Sequence, residues 1–464
     1  MQVLTGNPAP GSVSIRLIED GATKFVEKNA IEELHIGFGK EKPLSRRKLI
    51  VFLRKIITTA KQHKLKNISV AWNDIRALAA VEIADQELAQ VTSVSFEMAN
   101  FEFNTYKTKP EDGFASVDTV VMTGASSEAL LGFARGQVIA GEVNATRTLS
   151  NTPGGDMTPT TLADAAKAAA AGTKATVEVL GVPEMQKLGM GAVLGIGRGS
   201  AEEPKFIVVE YFGAEKTEKP VVLIGKGVTF DTGGLNIKTG DGMYEMHLDM
   251  SGGAAVIHTA ILAAKLGLKV NVVALVPAVE NAPGQNAVRP GDILKSLSGK
   301  TIEILNTDAE GRVIMADAIT YAKKYNPEVV INVSTLTGAA LIALGLQASA
   351  VMSNDQAFET LLREKGEESG DYVWPFPLWE EYEDMTKGHF GDVPNISTQG
   401  NSRYGGVIAG GMFLWQFAKE LKVPWAHIDM APRMTSVPGE NLAQGAAGAP
   451  VRLLISIIEH YAKR

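Results

Sequence analysis

The sequence predicts an α/β protein, with a smaller N-terminal α/β domain and a larger C-terminal one whose mixed, largely parallel sheet is covered by helices. Near-continuous apolar runs, such as those at residues 221–225 and 329–333, are typical of strands that are buried on both faces. Segments of helical length, rich in alanine or apolar at helical spacing, lie between these runs. Strands that alternate with helices in this way favour a doubly covered parallel sheet.

The N-terminal domain is predicted to span residues 1–125. Its β-branched and aromatic segments predict strands at 13–17, 33–38, 67–72 and 118–122. Helices are expected at 45–63, where Ser45 is a suitable N-cap, and at 74–91. Residues 126–175 are predicted to form a connecting helix and loop, because a helical pattern at 127–150 is followed by a segment rich in proline and glycine.

The C-terminal domain is predicted to span residues 176–464. Its strands are expected at 221–225, 270–276, 301–305, 329–333, 348–352 and 426–429. Its helices are expected at 252–266, 310–325, 408–420 and 447–460. In a sheet of this kind the functional site lies beyond the carboxyl ends of the strands.

The composition narrows the chemistry that the chain can perform. There are no cysteines among the 464 residues, which excludes thiolate metal sites and cysteine nucleophiles. A bound metal must therefore have oxygen and nitrogen ligands, which favours Mg²⁺, Mn²⁺, Co²⁺ or Zn²⁺. The formal charge of −7 gives no reason to expect a nucleic-acid partner. We expect a cytoplasmic protein without a membrane partner, because we find no signal peptide and no apolar run of about 18 residues.

Two short segments concentrate charge among small and apolar residues. Asp308, Glu310 and Arg312 occupy alternate positions in one of them, directly after a predicted strand. The other is a glycine-rich stretch downstream of the strand at 221–225, and its charged residues are Lys226, Asp231, Lys238 and Asp249. Charge in such surroundings is costly unless it is paired or bound to metal. The two segments are therefore the candidate active site.

The four carboxylates indicate a site for two divalent metal ions. Converging carboxylates repel one another strongly without cations. Two metal ions would neutralise this repulsion, and a two-metal site can activate water and polarise a carbonyl group. The alternative is that these are separate surface acids paired with lysine and arginine, as most acidic residues are solvated.

The three cations allow two interpretations each. Lys226 can bind a metal only as a neutral amine, so its pKa would have to fall through burial and a neighbouring dication. Lys238 could stay charged and stabilise a developing oxyanion. The alternative for both lysines is a solvated surface cation. Arg312, at a helix start, fits either an anion site or an ion pair with Glu310 or Asp308.

Several longer motifs resemble the cytosolic leucyl aminopeptidase family. They are residues 225–234 with Lys238, and the segments 249–255, 276–281, 289–292, 306–312, 334–339 and 425–429. They follow the family's order, and the resemblance covers about residues 130–460. By analogy, the N-terminal domain would be the family's smaller, macro-like domain.

The resemblance implies an activity and its partners. The chain would be a metal-dependent aminopeptidase that releases N-terminal amino acids, with a leucine-like preference, from peptides with a free N-terminus. Water activated by two metal ions would attack the peptide bond. The ions would be Mn²⁺ or Zn²⁺, with Mg²⁺ or Co²⁺ as alternatives, and bicarbonate would act as the base. The family's members form homohexamers.

The resemblance also implies a role for each site residue. Asp231 and Glu310 would bridge two metals, Asp308 would complete one metal site, and Lys226 with Asp249 would complete the other. Lys238 would stabilise the tetrahedral intermediate, and Arg312 would hold the bicarbonate. Substrate would be bound by Lys238, Met246, Asn306, Thr335 and Leu336.

Two other functions remain open from the sequence. A DNA-binding or structural role on the same scaffold would use a basic stripe on the first long helix, formed by Arg46, Arg47, Lys48, Lys55, Lys61, Lys64 and Lys66. A solvated helix face explains the same pattern. A two-metal hydrolase of phosphate esters is the third candidate, although we find no phosphate-cradling loop for it.

Overall fold

The computed structural model describes residues 1–8, 11–19, 21–28, 31–400 and 404–463. The chain divides into two compact units, one formed by residues 1–144 with 436–444 and the other by residues 145–435 with 445–464. The predicted domain boundaries at 125 and 175 stay a prediction. In the part of the chain described, no helix has the length and apolar character needed to cross a membrane.

The first unit contains a six-stranded sheet in the order β1-β6-β5-β2-β4-β3. Its strands are β1 (Gln2–Thr5), β2 (Val13–Ile18), β3 (Lys24–Lys28), β4 (Ile31–Gly37), β5 (Asn67–Ala71) and β6 (Thr119–Thr123). Its helices are α1 (Arg46–Gln62), α2 (Trp72–Arg76) and α3 (Asp85–Asn100), and the chain enters the second unit within α4 (Ser127–Asn151). Apart from the β3–β4 pair, the described strands of this sheet pair in parallel.

The prediction of one helix at residues 74–91 is wrong, because a turn separates the two helices α2 and α3 there. The guanidinium of Arg76 donates to the carbonyl oxygens of Ala80 and Val81, which holds the chain in this turn after α2. Asp85, the first residue of α3, accepts a hydrogen bond from the indole of Trp72. These tertiary contacts override the helical pattern of the sequence.

The basic stripe on α1 is largely paired with acidic or carbonyl groups. Arg46 lies 2.6 Å from Glu87, Lys61 lies 2.5 Å from Glu102, and Lys64 lies 2.9 Å from Asp112. Other members contact carboxylate or main-chain oxygens, namely Lys48 with Glu41, Lys55 with Gly37 and Lys66 with Asp118. This pairing favours a solvated helix face over a surface for nucleic acid.

The second unit contains a nine-stranded mixed sheet and a three-stranded sheet. The strands are β7 (Thr176–Leu180), β8 (Lys205–Phe212), β9 (Val221–Gly225), β10 (Gly227–Asp231), β11 (Asn271–Asn281), β12 (Ile293–Lys295), β13 (Thr301–Glu303), β14 (Val329–Ser334), β15 (Ser349–Ser353), β16 (Val373–Pro375), β17 (Val393–Pro394) and β18 (Trp425–Asp429). The helices are α5 (Pro159–Ala170), α6 (Val182–Leu188), α7 (Gly191–Gly197), α8 (Ser251–Lys265), α9 (Glu310–Ala322), α10 (Gly338–Leu344), α11 (Gln356–Ser369), α12 (Gly406–Ala418) and α13 (Val451–Ala462).

The centre of the larger sheet is parallel and buried, which confirms the predicted fold class. Strands β18, β14, β9 and β11 run parallel, in that order, and β10 adds to the end of β11. All five residues of β9 are buried, as are all six of β14. Strands β7, β8 and β15 join by antiparallel pairing and make the sheet mixed. The carboxyl ends of β9, β10, β11 and β14 therefore lie at one edge of the sheet.

Helix α8 packs against this sheet at a distance that requires glycine. A Cβ atom added to Gly252 would lie 2.3 Å from the carbonyl oxygen of Val333 in β14. Both partners are backbone at this point, so a side chain could not be accommodated by a rotamer change alone. The close approach places the first turn of α8 beside the ends of β9 and β14.

We predict that Gly252→Ala lowers the free energy of unfolding by about 1–3 kcal/mol, because the added methyl group overpacks a backbone contact. Denaturant unfolding followed by circular dichroism measures the change. The matched control is Gly141→Ala in α4, where nothing lies within 4 Å of the added atom. The control should be neutral or stabilising by up to about 1 kcal/mol. Equal stability of the two variants would contradict the prediction.

Candidate metal centre

Six of the predicted charged residues meet at the carboxyl edge of the large sheet. They are carried by the junction of β9 and β10, the end of β10, the loop after it, a short 3₁₀ helix and the start of α9. In chain order, these residues are Lys226, Asp231, Lys238, Asp249, Asp308 and Glu310. The sequence therefore predicted correctly that they converge. Asp231 is the last residue of β10.

Lys226 holds two of the carboxylates. Its Nζ atom lies 2.7 Å from Asp249 Oδ2 and 2.8 Å from Glu310 Oε1. The same Nζ donates to the carbonyl oxygen of Thr335, at 3.0 Å. Lys226, Asp249 and Glu310 are all buried. A surface cation, which was the alternative for this lysine, is therefore excluded by its burial.

Lys238 holds the other two carboxylates. Its Nζ atom lies 2.8 Å from Asp231 Oδ2 and 2.6 Å from Asp308 Oδ1. Lys238 and Asp308 keep some exposure, whereas Asp231 is buried. The two lysines thus divide the four carboxylates into two adjacent pairs, and the alternative of separate surface acids does not describe this arrangement.

The carboxylate oxygens fit divalent cations. One ligand atom from each of Asp231, Asp308 and Glu310 can be chosen so that all three lie within 4.8 Å of one another. Asp249 Oδ2, Asp308 Oδ1 and Glu310 Oε1 are buried, and each lies within 2.8 Å of a lysine Nζ. Even so, none of these three oxygens accepts a hydrogen bond within the described structure. Carboxylate oxygens that lack hydrogen bonds are suitable ligands for a divalent metal ion.

The pKa values of the lysines are controlled by the neighbouring carboxylates, whereas those of the buried acids are controlled mainly by burial. Burial raises the pKa of Asp249 and of Glu310, and neighbouring carboxylates add to the effect. Burial alone would lower the pKa of Lys226, but Asp249, Glu310 and Asp231 raise it above its ordinary value. The fall in the pKa of Lys226 expected from the sequence is therefore absent from the protein without metal. A neutral Lys226 requires the cation itself, which would offset the negative potential that retains the proton.

Lys238 keeps its charge for the same reason. Burial opposes the ammonium form, but the carboxylates of Asp231, Glu310 and Asp308 hold the pKa of Lys238 above its ordinary value. The site thus retains a fixed positive charge beside Asp231 and Asp308. This agrees with the charged state expected for Lys238 from the sequence.

Arg312 lies one turn into α9, buried, and does not join the lysine–carboxylate cluster. Its Nη1 atom donates to the carbonyl oxygen of Asn395, at 3.0 Å. Burial lowers the pKa of Arg312, against the effect of Glu310 and Asp429. Its Nε atom is buried and has no hydrogen-bond partner among the described residues. Because Glu310 contacts Lys226 and Asp308 contacts Lys238, the geometry favours an anion site over an ion pair for Arg312.

Four predicted substrate-binding residues lie in contact with the charged cluster or next to one of its members along the chain. Thr335 Oγ1 donates to Asp249 Oδ1 at 2.6 Å, and Asn306 Oδ1 accepts from the main-chain N–H of Asp308 at 2.9 Å. Leu336 is half-buried next to Thr335, and Met246 begins the 3₁₀ helix that carries Asp249. Thr335 and Asn306 therefore orient two of the carboxylate residues, Asp249 and Asp308, whereas Met246 and Leu336 offer apolar surface.

Sequence reasoning missed the role of two supporting residues. Asn281, at the end of β11, donates from Nδ2 to Asp231 Oδ1 at 2.8 Å and to the carbonyl of Thr307 at 3.0 Å. Thr307 Oγ1 donates to the carbonyl of Gly233, at 2.6 Å. Both residues lie in motifs that resemble the family, and that was their only signal. Together they connect the two charged segments of the chain.

Comparisons with known proteins find similar sequences in one family. A model described as "Cytosol aminopeptidase family, catalytic domain" matches residues 144–455. A probable cytosol aminopeptidase of Azoarcus sp. (strain BH72) is 43% identical over 397 residues, which cover 83% of this chain and 78% of that protein. One of Methylobacillus flagellatus is 39% identical over 437 residues, which cover 92% of this chain and 85% of that protein.

Solved structures give the same result for the fold. The bottromycin maturation enzyme BotP is similar with a TM-score of 0.86 and 26% sequence identity, over 98% of this chain and 100% of that one. A structure of BotP in complex with Mn matches with the same values.

We predict that Lys226→Met lowers the free energy of unfolding of the metal-free protein by about 3–5 kcal/mol, because Asp249 and Glu310 would stay buried without their cation. Denaturant unfolding after treatment with a chelator measures this loss. Lys205→Met is the control, since Lys205 pairs with the exposed Glu203 and should contribute no more than about 1 kcal/mol. Similar losses in the two variants would contradict the predicted role of Lys226.

Proposed function

The chain belongs to the cytosol aminopeptidase family and is a metal-dependent hydrolase of the exopeptidase type; on this premise, we propose that it removes leucine-like N-terminal residues from peptides by a two-metal mechanism. One observation carries the proposal, namely the four ion pairs by which two lysines hold four carboxylates in one cluster at the edge of the sheet. Four converging carboxylates repel one another strongly, and two divalent ions would neutralise that charge.

The ligand assignment is the one that the family resemblance implies. Asp231 and Glu310 would each contact both metals, Asp308 would serve one, and Lys226 with Asp249 would serve the other. When bound, two divalent ions would polarise the peptide carbonyl and lower the pKa of water. Oxygen ligands with one amine suit Mn²⁺ or Zn²⁺, with Mg²⁺ and Co²⁺ as alternatives. The Mn complex of the similar BotP favours Mn²⁺ as the first metal to test.

Two cations of the chain would act on the charges of the reaction. Lys238 stays protonated beside Asp231 and Asp308, where its ammonium group would stabilise negative charge that develops on the carbonyl oxygen. Arg312 would hold a bicarbonate ion near the site, as the family resemblance implies. Its buried Nε has no hydrogen-bond partner in the described structure, so it could donate to such an anion. Its position at the start of α9 also suits an anion.

The metal centre would select the end of the peptide. The free α-amine of the substrate, in its neutral form, would bind to one metal ion, which would restrict attack to the first peptide bond. The apolar surfaces of Met246 and Leu336 would receive an aliphatic first side chain, with Thr335 and Asn306 keeping the ligands between them in place. This arrangement supports the leucine-like preference.

The setting of the enzyme is also part of the proposal. We expect a homohexamer, as the family resemblance implies. Several large apolar side chains of the second unit are exposed and could be covered by association, among them Ile342, Trp379 and Phe390. Exposed apolar surface of this kind is typical of association sites. The cytoplasm is the expected location, in keeping with the family of cytosol aminopeptidases.

We predict two metal ions per chain after reconstitution of the metal-free protein with Mn²⁺ or Zn²⁺, because the four carboxylates form two pairs. Mass spectrometry under native conditions counts the ions, and a panel of dipeptides then measures hydrolysis. Leucyl dipeptides should be cleaved faster than those that begin with aspartate or glycine. A stoichiometry of one or none would refute the two-metal proposal, and equal rates across the panel would refute the leucine-like preference.

We predict that Lys238→Ala lowers kcat by about 10²–10³-fold, as for the loss of a group that stabilises an oxyanion. Steady-state hydrolysis of leucine p-nitroanilide gives the rate, and circular dichroism checks the fold. The matched control is Lys269→Ala, an exposed lysine of the same unit, which should keep the wild-type kcat. Near-normal hydrolysis by Lys238→Ala would remove Lys238 from the mechanism.

A further inference from the structure

Asn395 lies far in sequence from the charged segments but contacts one of them closely. Its side chain is fully buried, at 0% exposure. Oδ1 accepts hydrogen bonds from the main-chain N–H groups of Leu305 and Asn306, at 2.8 and 3.2 Å. Nδ2 donates to the carbonyl oxygen of Asn306 at 2.5 Å, and to that of Ala309 at 3.5 Å. One amide group thus binds the backbone on both sides of Asp308.

The main chain of Asn395 reaches a second part of the site. Its carbonyl oxygen accepts a hydrogen bond from Nη1 of the buried guanidinium of Arg312. Asn395 binds the backbone of Asn306, and the side chain of Asn306 in turn accepts a hydrogen bond from the N–H of Asp308. Asn395 is therefore connected to Asp308 through Asn306, to the start of α9 through Ala309, and to Arg312 directly.

The segment that carries Asn395 is itself firmly attached to the small sheet. Asn395 follows β17, which pairs in parallel with β13, and its N–H donates to the carbonyl of Glu303 at 2.9 Å. The side chain of Glu303 accepts from the N–H groups of His389 and Phe390, at 2.9 and 3.2 Å. Asp392 accepts from both the N–H and the hydroxyl of Thr301, at 2.8 Å each. The position of Asn395 is thus determined by the contacts of its segment with the small sheet, and not by the site that it contacts.

We propose that Asn395 is a positioning residue of this enzyme, which sets the position of the Arg312 guanidinium relative to the loop before α9 that carries Asp308. The inference rests on the proposed function. Groups that orient metal ligands and catalytic side chains typically contribute about 10–100-fold to metal affinity or activity. The sequence gives no indication of this role, because Asn395 carries no charge and lies 83 positions after Arg312.

Asparagine is required because both ends of its amide are used. An aspartate of the same size would keep the acceptor for Leu305 and Asn306 but would lose the donor. It would then place a carboxylate oxygen against the carbonyl oxygen of Asn306, where the present contact is 2.5 Å. Two acceptors repel at that distance, so the loop would have to move. A displacement of about 1 Å is enough to reduce catalysis by roughly 10²-fold.

The test is Asn395→Asp, measured in two ways on the full chain. In the metal-free protein, calorimetric titration with Mn²⁺ should show affinity weakened by about 10–100-fold. In the Mn²⁺-loaded protein, kcat for a leucyl dipeptide should fall by a similar factor, with a much smaller change in KM. Asn395→Ser replaces the amide by one shorter hydroxyl group, which cannot bind the backbone on both sides of Asp308, and it adds no charge. It replaces Asn395→Asp if that variant does not fold. We expect the same direction of change for Asn395→Ser.

Asn271 provides a matched control at the other end of β11. It is buried, accepts from the N–H of Ala214, and donates to the carbonyls of Glu215 and Glu218 at 2.7 and 2.9 Å. Asn271→Asp therefore makes the same chemical change in a loop anchor remote from the metal centre. It should lower stability as Asn395→Asp does, while kcat and Mn²⁺ affinity stay at wild-type values.

Three outcomes separate the hypotheses. Wild-type kcat and Mn²⁺ affinity in Asn395→Asp would overturn the inference. Equal losses of kcat and Mn²⁺ affinity in Asn271→Asp and Asn395→Asp would also overturn it, because the effect would then be a general one on the fold. A wild-type protein that neither binds Mn²⁺ nor cleaves dipeptides would instead refute the proposed function.

Discussion

The balance between four carboxylates and two lysines is the constraint on which the rest of the catalytic unit depends. Asp249 and Glu310 are buried, and their charges would be untenable without Lys226 between them. Lys238 does the same for Asp231 and Asp308. Each lysine therefore stabilises the metal-free site in a position next to the oxygens that would bind a cation. The negative charge that remains is what makes the site fit for divalent ions.

The backbone around the site is shaped by this packing. A Cβ atom at Gly311 would lie 2.4 Å from Cε of Lys226, so the start of α9 can approach the lysine only because residue 311 is glycine. Gly252 plays the same part where α8 meets β14. The helices thereby come close enough to the strand ends for Glu310 and Asp249 to face one another across Lys226. The glycines in the motifs therefore leave the space in which the charged residues can approach one another.

The supporting hydrogen bonds join segments that are far apart along the chain. Asn281 connects the loop of Asp231 to that of Asp308, and Asn395 connects the latter loop to Arg312. Each uses an uncharged amide that both donates and accepts, which suits a place where further charge would disturb the balance of the site. Rigid placement of this kind is what a metal centre and an oxyanion site need from their surroundings.

The sequence by itself determined the family, the fold class and the set of charged residues. It could do so because Asp231, Asp249 and Asp308 lie in contiguous motifs that follow or adjoin buried strands and carry their chemistry in the side chain. Only the tertiary structure decided which carboxylates pair with which lysine, that Arg312 stands apart from them, and that Asn395 anchors the loop. These contacts join residues up to 90 positions apart, and the direction of a hydrogen bond depends on packing that no local pattern records. The break in the helix predicted at 74–91 has the same origin, since the bonds of Arg76 and Asp85 outweigh the helical propensity of the sequence between them.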